Sequence, residues 1–242
     1  MAPQLGLGNS LSAEPVSRSM LMNAYSVDFD GTNQYVDTQL TPNASNGVSV
    51  AANATLSYWC NIDAFSGYQA CGCHDQKRFY LGFNNQKALF GVANTYSDNG
   101  DLGTLTTGTW MHLALVAEGG TATYYLNGVS RDTLSYTQNA TMYDPTDDIF
   151  IGAVSNSASA VNFMDGKVDE VAVFNSALSA AQVASIYNGG KPQSLASYNP
   201  VGWWRMGDND GGTGSTITDQ GSGENNGTLT NMATDPFSTS IP

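Results

Sequence analysis

The stretch from Trp110 to Arg131, WMHLALVAEGGTATYYLNGVSR, decides the fold class. It contains two runs of aliphatic, aromatic and β-branched residues, which are separated by the turn sequence Glu118-Gly119-Gly120. The second run ends at Asn127-Gly128, a dipeptide favoured in type I′ turns because both central residues need a positive φ. The pattern therefore predicts an antiparallel hairpin that is followed at once by another strand.

Short strand-like runs occur on both sides of this hairpin, separated by Gly, Asn, Asp and Ser. They lie at residues 27–30, 35–37, 55–62, 78–83, 87–92, 149–152, 168–174, 201–206 and 228–230. Many short strands at such spacing are typical of an all-β sandwich or barrel. One short helix is predicted after Ser179, because Ser179 and Gln182 form a capping box ahead of an apolar stripe.

Composition excludes several classes of function. The 242 residues include 21 acidic and only 8 basic side chains, so the net charge is −13. Binding to nucleic acid or to an anionic membrane surface is therefore not expected. No run reaches roughly 18 apolar residues, and the N-terminus lacks the regions of a signal peptide. Three cysteines, Cys60, Cys71 and Cys73, form no even disulfide framework, so free thiols are expected.

Three motifs occur in order along the chain. The first is Phe29-Asp30-Gly31 followed by Tyr35-Val36, the second is the hairpin 110–128, and the third runs from Phe163 to Val171 ahead of the helix. Together they resemble the laminin G-like branch of the concanavalin A-like lectin/glucanase superfamily. The resemblance covers about residues 25–190. It implies a jelly-roll sandwich of two antiparallel sheets with one short helix, often with a bound calcium.

The C-terminal segment resembles the opening strand of that family, placed at the other end of the chain. The run Trp203-Trp204-Arg205-Met206 and the loop 218–229 look like the segment that usually precedes the Phe-Asp-Gly strand. Either the sandwich is circularly permuted and the tail completes it, or the tail begins a second repeat. Permutation is favoured, because roughly 40 residues cannot bury a core alone. We expect an arm at 1–24, a sandwich at 25–190 and a completing extension at 191–242.

The carboxylates argue against an enzyme. Retaining glycoside hydrolases need two carboxyl groups about 5 Å apart, and the laminarinase-type members of the superfamily carry them as E-x-D-x-E or E-x-D-x-x-E. None of the four glutamates begins such a motif. Asp169 and Glu170 are adjacent, so strand geometry predicts that they point to opposite faces. His112 is expected to be packed. A divergent glycoside hydrolase or lyase is therefore the least favoured alternative.

The calcium that the resemblance implies has three candidate ligands, Asp169, Asp219 and Asn225. Strand parity predicts that Asp169 shares the core face with Val171, where a carboxylate needs a cation or backbone N–H groups. Asp219 and Asn225 fall on the family's D-x-S-G-x-x-N-x-G pattern, although Gly221-Ser222 reverses its Ser-Gly pair. We expect one structural calcium, since oxygen ligands and a Gly-rich loop suit that ion. A solvated acidic loop is the alternative.

Aromatic residues in the predicted loops are candidate carbohydrate contacts. Aromatic rings supply the apolar part of a ligand site, and a few amide or carboxylate groups fix the ligand's orientation. The predicted carbohydrate-binding residues are Tyr68, Tyr96, Asn94, Asp98 and Tyr143. For each ring, the structural alternative is packing against the edge of the sandwich.

The sequence is best interpreted as a non-enzymatic protein of a virion surface, such as a capsid decoration or a tail or fibre component. The arm rich in Gly, Ser and Asn and the low charge content resemble small virion proteins of tailed phages. We expect residues 1–24 to bind capsid or tail proteins, and the protein to form a homo-oligomer. The alternative is a carbohydrate-binding adhesin module, and a particle-bound domain that binds a host surface glycan would combine both roles.

Overall fold

The polypeptide forms two large antiparallel sheets and one small hairpin, as the spacing of the strand-like runs predicted. The computed structural model describes residues 22–42, 48, 53–74, 79–93, 95–97, 102–138, 147–157, 159–232 and 235–242, without the side chains of 71–74. Within these residues, no helix is long and apolar enough to span a membrane.

The first sheet contains eight strands. They are β1 (Ser26–Asp30), β3 (Asn53–Ile62), β8 (Trp110–Glu118), β9 (Thr121–Leu126), β10 (Val129–Ser135), β14 (Asp165–Phe174), β15 (Gly202–Trp204) and β18 (Phe237–Ser238). Their order is β10-β9-β8-β3-β14-β1-β18, and β15 pairs with β14.

The second sheet also contains eight strands. They are β2 (Tyr35–Asp37), β4 (Tyr68–His74), β5 (Phe79–Asn84), β6 (Lys87–Val92), β7 (Thr95–Ser97), β11 (Phe150–Ile151), β16 (Thr216–Ile217) and β17 (Gly227–Thr230). Their order is β16-β17-β2-β11-β4-β5-β6-β7. A separate hairpin is formed by β12 (Val154–Asn156) and β13 (Ser159–Val161).

The turns of the β8-β9-β10 meander follow the sequence prediction. Gly119 and Gly120 join β8 to β9 with φ values of 57° and 85°. Asn127 and Gly128 join β9 to β10 with φ values of 51° and 74°, as a type I′ turn requires. Local turn chemistry therefore fixes the register of three consecutive strands.

The main core lies between the two sheets and is built from alternate residues of each strand. Leu56 and Tyr58 of β3 face it from the first sheet, and Leu81 and Phe83 of β5 face it from the second. The rings of Phe90 and Tyr124 stack across the interface with centroids 5.6 Å apart. Each such buried side chain contributes about 1.5–3 kcal/mol of transfer free energy.

A second apolar layer covers the outer face of the first sheet. The helix α1 (Ala180–Tyr187) packs Val183 and Ile186 against Trp203 of β15, and a short 3-10 helix (Ala196–Tyr198) lies beside it. The predicted capping box is confirmed: Gln182 N donates to Ser179 Oγ at 3.3 Å, and Ser179 N donates to Gln182 Oε1 at 2.8 Å.

The C-terminal segment contributes strands to both sheets. In the first sheet, β15 pairs with β14 and β18 pairs with β1. In the second sheet, β17 pairs with β2. Trp204 points into the main core and Trp203 into the outer layer, as expected for adjacent strand residues. Both rings are nevertheless buried, because α1 covers the outer one.

A bulge in β14 changes the face on which Asp169 lies. Val168 and Val171 both point into the main core although they are three residues apart, and the register against β3 shifts just after Asp169. Glu170 has a positive φ of 49°, which accommodates the extra residue. Asp169 therefore shares the outer face with its cross-strand partner Trp59. The parity prediction that placed it on the core face with Val171 was wrong.

Candidate functional site

Two exposed tyrosines project from the outer face of the second sheet. Tyr68, at the start of β4, is 53% exposed, and Tyr96, in β7, is 49% exposed. Leu81 and Phe83 of β5 point into the core, so the intervening and flanking residues of β5 face outwards. Tyr68 pairs with Asn84 at the end of β5, and it therefore lies on this outer face.

Tyr96 reaches the same face through β6. Tyr80 of β5 faces outwards and pairs with Gly91, which in turn pairs with Tyr96. A Cβ at Gly91 would lie 3.3 Å from the Cβ and 3.4 Å from Cδ1 of Tyr96, so the glycine lets the tyrosine sit close to the sheet. We call the surface that carries Tyr68 and Tyr96 the tyrosine face.

Polar groups accompany Tyr68 in a cross-strand row. Tyr68 pairs with Asn84, and Asn84 pairs with Lys87, so a ring, an amide and an ammonium group stand side by side. Directly opposed residues have Cβ atoms about 5 Å apart, so the row spans about 10 Å. Asn85 N donates to the carbonyl of Gly67 at 2.9 Å, which fixes the loop that carries the tyrosine.

The β12–β13 hairpin occupies the part of the tyrosine face between the two rings. Val154 and Val161 of the hairpin pack on the outward residues Ala70, Tyr80 and Leu89. Tyr68 and Tyr96 therefore stand on either side of a covered patch. The other predicted carbohydrate contacts, Asn94, Asp98 and Tyr143, lie outside the described residues.

The carboxylate of Asp219 accepts three backbone hydrogen bonds. Its Oδ1 accepts from the N–H groups of Trp203 and Gly221, each at 2.7 Å, and its Oδ2 accepts from Asn225 N at 2.8 Å. Burial raises the pKa of Asp219, and the three N–H donors oppose that shift. The carboxylate thus holds the β15 strand and the 219–225 loop together.

Two of the three predicted calcium ligands, Asp219 and Asn225, are hydrogen-bonded to each other in one loop, and the third, Asp169, makes a contact outside that loop. The backbone carbonyl of Asn225 accepts from Trp204 Nε1 at 2.8 Å, whereas Asp169 accepts from Asn23 Nδ2 at 3.0 Å. Among the described residues, no group of three or more His, Cys, Asp or Glu side chains is arranged to hold a metal ion. Calcium binding by Asp219, Asn225 and Asp169 stays a prediction.

A buried carboxyl cluster lies on the outer face of β14. Glu170 Oε1 accepts from Arg205 Nε at 3.0 Å, and Glu170 Oε2 accepts from Trp203 Nε1 at 2.6 Å. Arg205 also binds Asp208 Oδ2 at 2.6 Å. Burial raises the pKa of Glu170 to about 7 against the opposing effects of Arg205 and Trp203. For Asp169, burial and then the Glu170 carboxyl raise the pKa. The charge of Glu170 thus affects the protonation of its neighbour Asp169. Both side chains lie on the outer face because of the bulge, so the prediction that they point to opposite faces was wrong.

The same cluster binds the first described residues of the chain. Arg205 donates to the carbonyl of Met22 at 2.6 Å. Asp208 Oδ1 accepts from the N–H groups of Ala24 at 2.8 Å and Tyr25 at 2.9 Å. Together with the Asn23–Asp169 bond, these contacts attach residues 22–25 to both β14 and the C-terminal segment. The cluster therefore has an evident structural role.

His112 is buried, as predicted. Its Nε2 lies 2.8 Å from Ser57 Oγ, and its ring lies 5.2 Å from that of Trp59 and 6.2 Å from that of Tyr187 in α1. Burial lowers the pKa of His112 to about 3, so the imidazole is neutral. Because Ser57 and His112 are 1% and 0% exposed, no substrate reaches this pair.

A cavity that no local sequence pattern predicted lies at the end of the first sheet. Its volume is about 340 Å³. It is lined by Asp28, Phe29, Asp30, Gln34, Asp63, Asp165, Asp235 and Pro236. The spacing of Asp28 and Asp30 gave a partial signal, since residues two apart share one strand face. We call this cavity the aspartate pocket.

Comparison with protein families gives one clear match. Residues 30–184, more than half of the 242-residue chain, match the laminin G-type model of the concanavalin A-like lectin/glucanases superfamily. No sequence among curated proteins matches this chain.

Solved structures share the fold at low sequence identity. A proposed carbohydrate-binding protein from Bacteroides ovatus has a TM-score of 0.67 and 18% identity, over 92% of this chain and 61% of that one. This chain thus spans less than two thirds of that protein. The heptameric SAP-like pentraxin of Limulus polyphemus has a TM-score of 0.51 and 15% identity, over 71% and 86%. The CBM40 domain of Ruminococcus gnavus IT-sialidase, bound to α2,3-sialyllactose, has a TM-score of 0.50 and 15% identity, over 67% and 97%.

Proposed function

Because this chain belongs to the laminin G-like part of the concanavalin A-like lectin/glucanases superfamily, we propose that it is a non-enzymatic carbohydrate-binding module. The observation that carries the proposal is the pair of exposed rings, Tyr68 and Tyr96, on one face of the second sheet. The sugar would bind on the tyrosine face.

Exposed tyrosines suit carbohydrate recognition. A tyrosine offers a flat apolar surface to the C–H groups of a sugar ring, and it has few rotamers to lose on binding. Asn84 and Lys87 beside Tyr68 offer hydrogen-bond donors to sugar hydroxyl groups. The carbohydrate-binding character of the Bacteroides ovatus and Ruminococcus gnavus proteins is consistent with this role, and at their identities the likeness concerns the fold alone.

The burial and hydrogen bonding of Asp169 and Glu170 support a non-enzymatic role. Asp169 and Glu170 are 0% and 3% exposed, and protein donors occupy the Glu170 oxygens. A general acid or nucleophile has to reach the glycosidic bond. These two carboxyl groups therefore do not serve as a catalytic pair.

The proposal is tested by glycan-array screening followed by calorimetric titration of the best ligand. Tyr68→Ala and Tyr96→Ala should each weaken binding about fivefold to tenfold, which corresponds to about 1 kcal/mol for a lost ring contact. Val129→Ala is the matched control, because Val129 is 55% exposed but lies in β10 of the other sheet. Unchanged affinity in the Tyr68→Ala/Tyr96→Ala double variant, or the absence of any glycan ligand, would contradict the proposal.

A location on a virus particle is a separate proposal. It depends on residues 1–24 as the segment that binds capsid or tail proteins, and only Met22–Ala24 of these lie within the described residues. The sequence features given above support it, and a particle-bound module of this kind would present the tyrosine face to a host surface glycan.

A further inference from the structure

Tyr68 begins a row of polar residues on the tyrosine face that continues beyond β6. After Asn84 and Lys87 the row reaches Thr104, because Lys87 also forms an antiparallel bridge with Thr104. Lys87 and Thr104 are exposed, and among the described residues no carboxylate pairs with Lys87. Four residues side by side span three strand spacings, about 14 Å. A ring, an amide, an ammonium group and a hydroxyl group therefore follow one line across the sheet.

Tyr96 lies well away from this row. It pairs with Gly91 of β6, whereas Thr104 pairs with Lys87 of the same strand, and both partners lie on the side of β6 away from β5. Gly91 and Lys87 are four residues apart, which is about 14 Å along a strand. Tyr68 in β4 is also three strand spacings from Tyr96 in β7, so the straight distance between their Cα positions is about 20 Å.

The β12–β13 hairpin stands in the straight line between the two rings, because its valines pack on the middle of this face. A ligand that contacts both rings therefore follows the polar row from Tyr68 to Thr104 and then runs beside β6 to Tyr96. This path is about 28 Å long, since each of its two parts is about 14 Å. The face thus presents two separated ring contacts that are joined by a line of polar groups.

The spacing of the two rings is fixed by their surroundings. Gly67 N donates to Asn85 Oδ1 at 3.3 Å, which holds the loop just before Tyr68, and Tyr96 sits closely over Gly91. A second contact adds affinity only when the part of the ligand that links the two contacts matches the span between them. One pyranose unit adds about 5 Å to an extended chain, so about four to six units separate the sugars on the two rings.

We propose that the tyrosine face selects a long glycan chain, of about six sugar units or more, over a terminal monosaccharide or disaccharide; this rests on the carbohydrate-binding function proposed above. One sugar of the chain stacks on Tyr68, and another, about four to six units further along, stacks on Tyr96. The units between them follow Asn84, Lys87 and Thr104, whose polar groups bind sugar hydroxyl groups. Binding involves no covalent step.

The test is calorimetric titration of the full chain with size series from disaccharide to octasaccharide. The probes are cello-, xylo- and manno-oligosaccharides, and fragments of any other glycan that binds on the array. Affinity should change little up to the tetrasaccharide and then rise about fivefold to tenfold towards the octasaccharide, as expected for one added ring contact. Tyr68→Ala and Tyr96→Ala should each remove this rise. Tyr96→Phe keeps the ring and should keep the rise, as should Val129→Ala in the other sheet.

Two results would overturn the inference. One is a disaccharide that binds as tightly as the octasaccharide of the same series. The other is a rise with length that persists in Tyr68→Ala or Tyr96→Ala, because the longer chain would then gain its affinity elsewhere on the protein. If affinity does not depend on length while both alanine variants still weaken binding, only this inference fails. If no glycan binds at all, the proposed function fails as well.

Discussion

Glu170 shows how one residue reorganises its surroundings. Its positive φ lets β14 take in an extra residue, and the bulge moves Asp169 from the expected inner face to the outer one. The period-2 alternation of a strand is readable from sequence, but a bulge breaks that period without a sequence signal of its own. The error on Asp169 has this cause. His112, by contrast, was correctly predicted as packed because its strand is apolar on both sides.

We predict that the protein becomes less stable as the pH rises from about 5 to 8. Burial raises the pKa of Glu170 from 4.5 to about 7, so the folded state binds a proton that the unfolded state releases. The free energy of unfolding should therefore increase as the pH falls through 7 towards 4.5, by up to about 3 kcal/mol. Asp169 shifts in the same direction. Urea unfolding at several pH values measures this slope.

Glu170→Gln provides the comparison for the pH effect. Glutamine keeps the shape of the side chain and does not titrate, so the slope between pH 5 and 8 should become shallower. Glu118→Gln, at an exposed carboxylate, should leave it unchanged. A slope in Glu170→Gln equal to that of the unmodified protein would show that the buried cluster does not set the pH dependence.

Strands and helices whose boundaries depend on residues close in sequence were predicted correctly. The β8-β9-β10 meander and α1 depend on Gly119-Gly120, Asn127-Gly128 and the Ser179 cap, all read within a few residues. The aspartate pocket was missed because its aspartates come from distant elements: Asp30 from β1 and Asp165 from β14. Strand pairing over such separations is decided by packing, and no local pattern encodes it. Strands of two or three residues, such as β16 and β18, give too short a pattern to detect.

The 219–225 loop should depend on the Asp219 carboxylate. We predict that Asp219→Asn destabilises the protein by about 2–4 kcal/mol, because an amide has one acceptor oxygen where the carboxylate serves three N–H donors. The control is Asp210→Asn, which also removes a loop carboxylate, one that accepts from Thr218 N and Thr218 Oγ1. Thermal unfolding of both variants measures the difference.

Calcium binding is tested with the same variants. After chelation, addition of calcium should raise the melting temperature of the unmodified protein if the predicted ion binds, and Asp219→Asn should remove that increase. If calcium leaves the melting temperature unchanged while Asp219→Asn still destabilises, then the loop is held by its backbone hydrogen bonds alone, and the calcium prediction is wrong.

At the scale of the whole molecule, the two ends of the described chain hold the sandwich together. Residues 22–25 bind Asp169, Arg205 and Asp208, so segments from the start, middle and end of the sequence meet in one buried cluster. Met22–Ala24 were predicted to belong to an arm, since nothing in their own pattern indicates the distant partners.

Two N-terminal deletions should separate the structural and the attachment roles of this region. Removal of residues 1–21 keeps the cluster contacts that residues 22–25 make, and we predict that it leaves the melting temperature unchanged. Removal of 1–24 also takes away Met22, Asn23 and Ala24, and should destabilise the protein by about 2–5 kcal/mol through lost hydrogen bonds to buried charged groups. Chemical unfolding of the two proteins measures this.

The shorter deletion also tests the particle proposal. Because removal of 1–21 preserves the cluster, any loss of association with purified particles is attributable to the arm itself. Full association after this deletion would contradict a role of residues 1–21 in attachment.

The pairing of β1 with β18 has a practical meaning. Ser26 lies opposite Ser238, and its hydroxyl donates to the carbonyl of Ser240 at 2.7 Å, so the chain enters and leaves the sandwich at neighbouring points. A domain whose two ends lie close together can be inserted into a surface loop of another protein without separating the ends of that loop. The neighbouring positions of β1 and β18 are therefore compatible with insertion of this module into a loop of a larger protein.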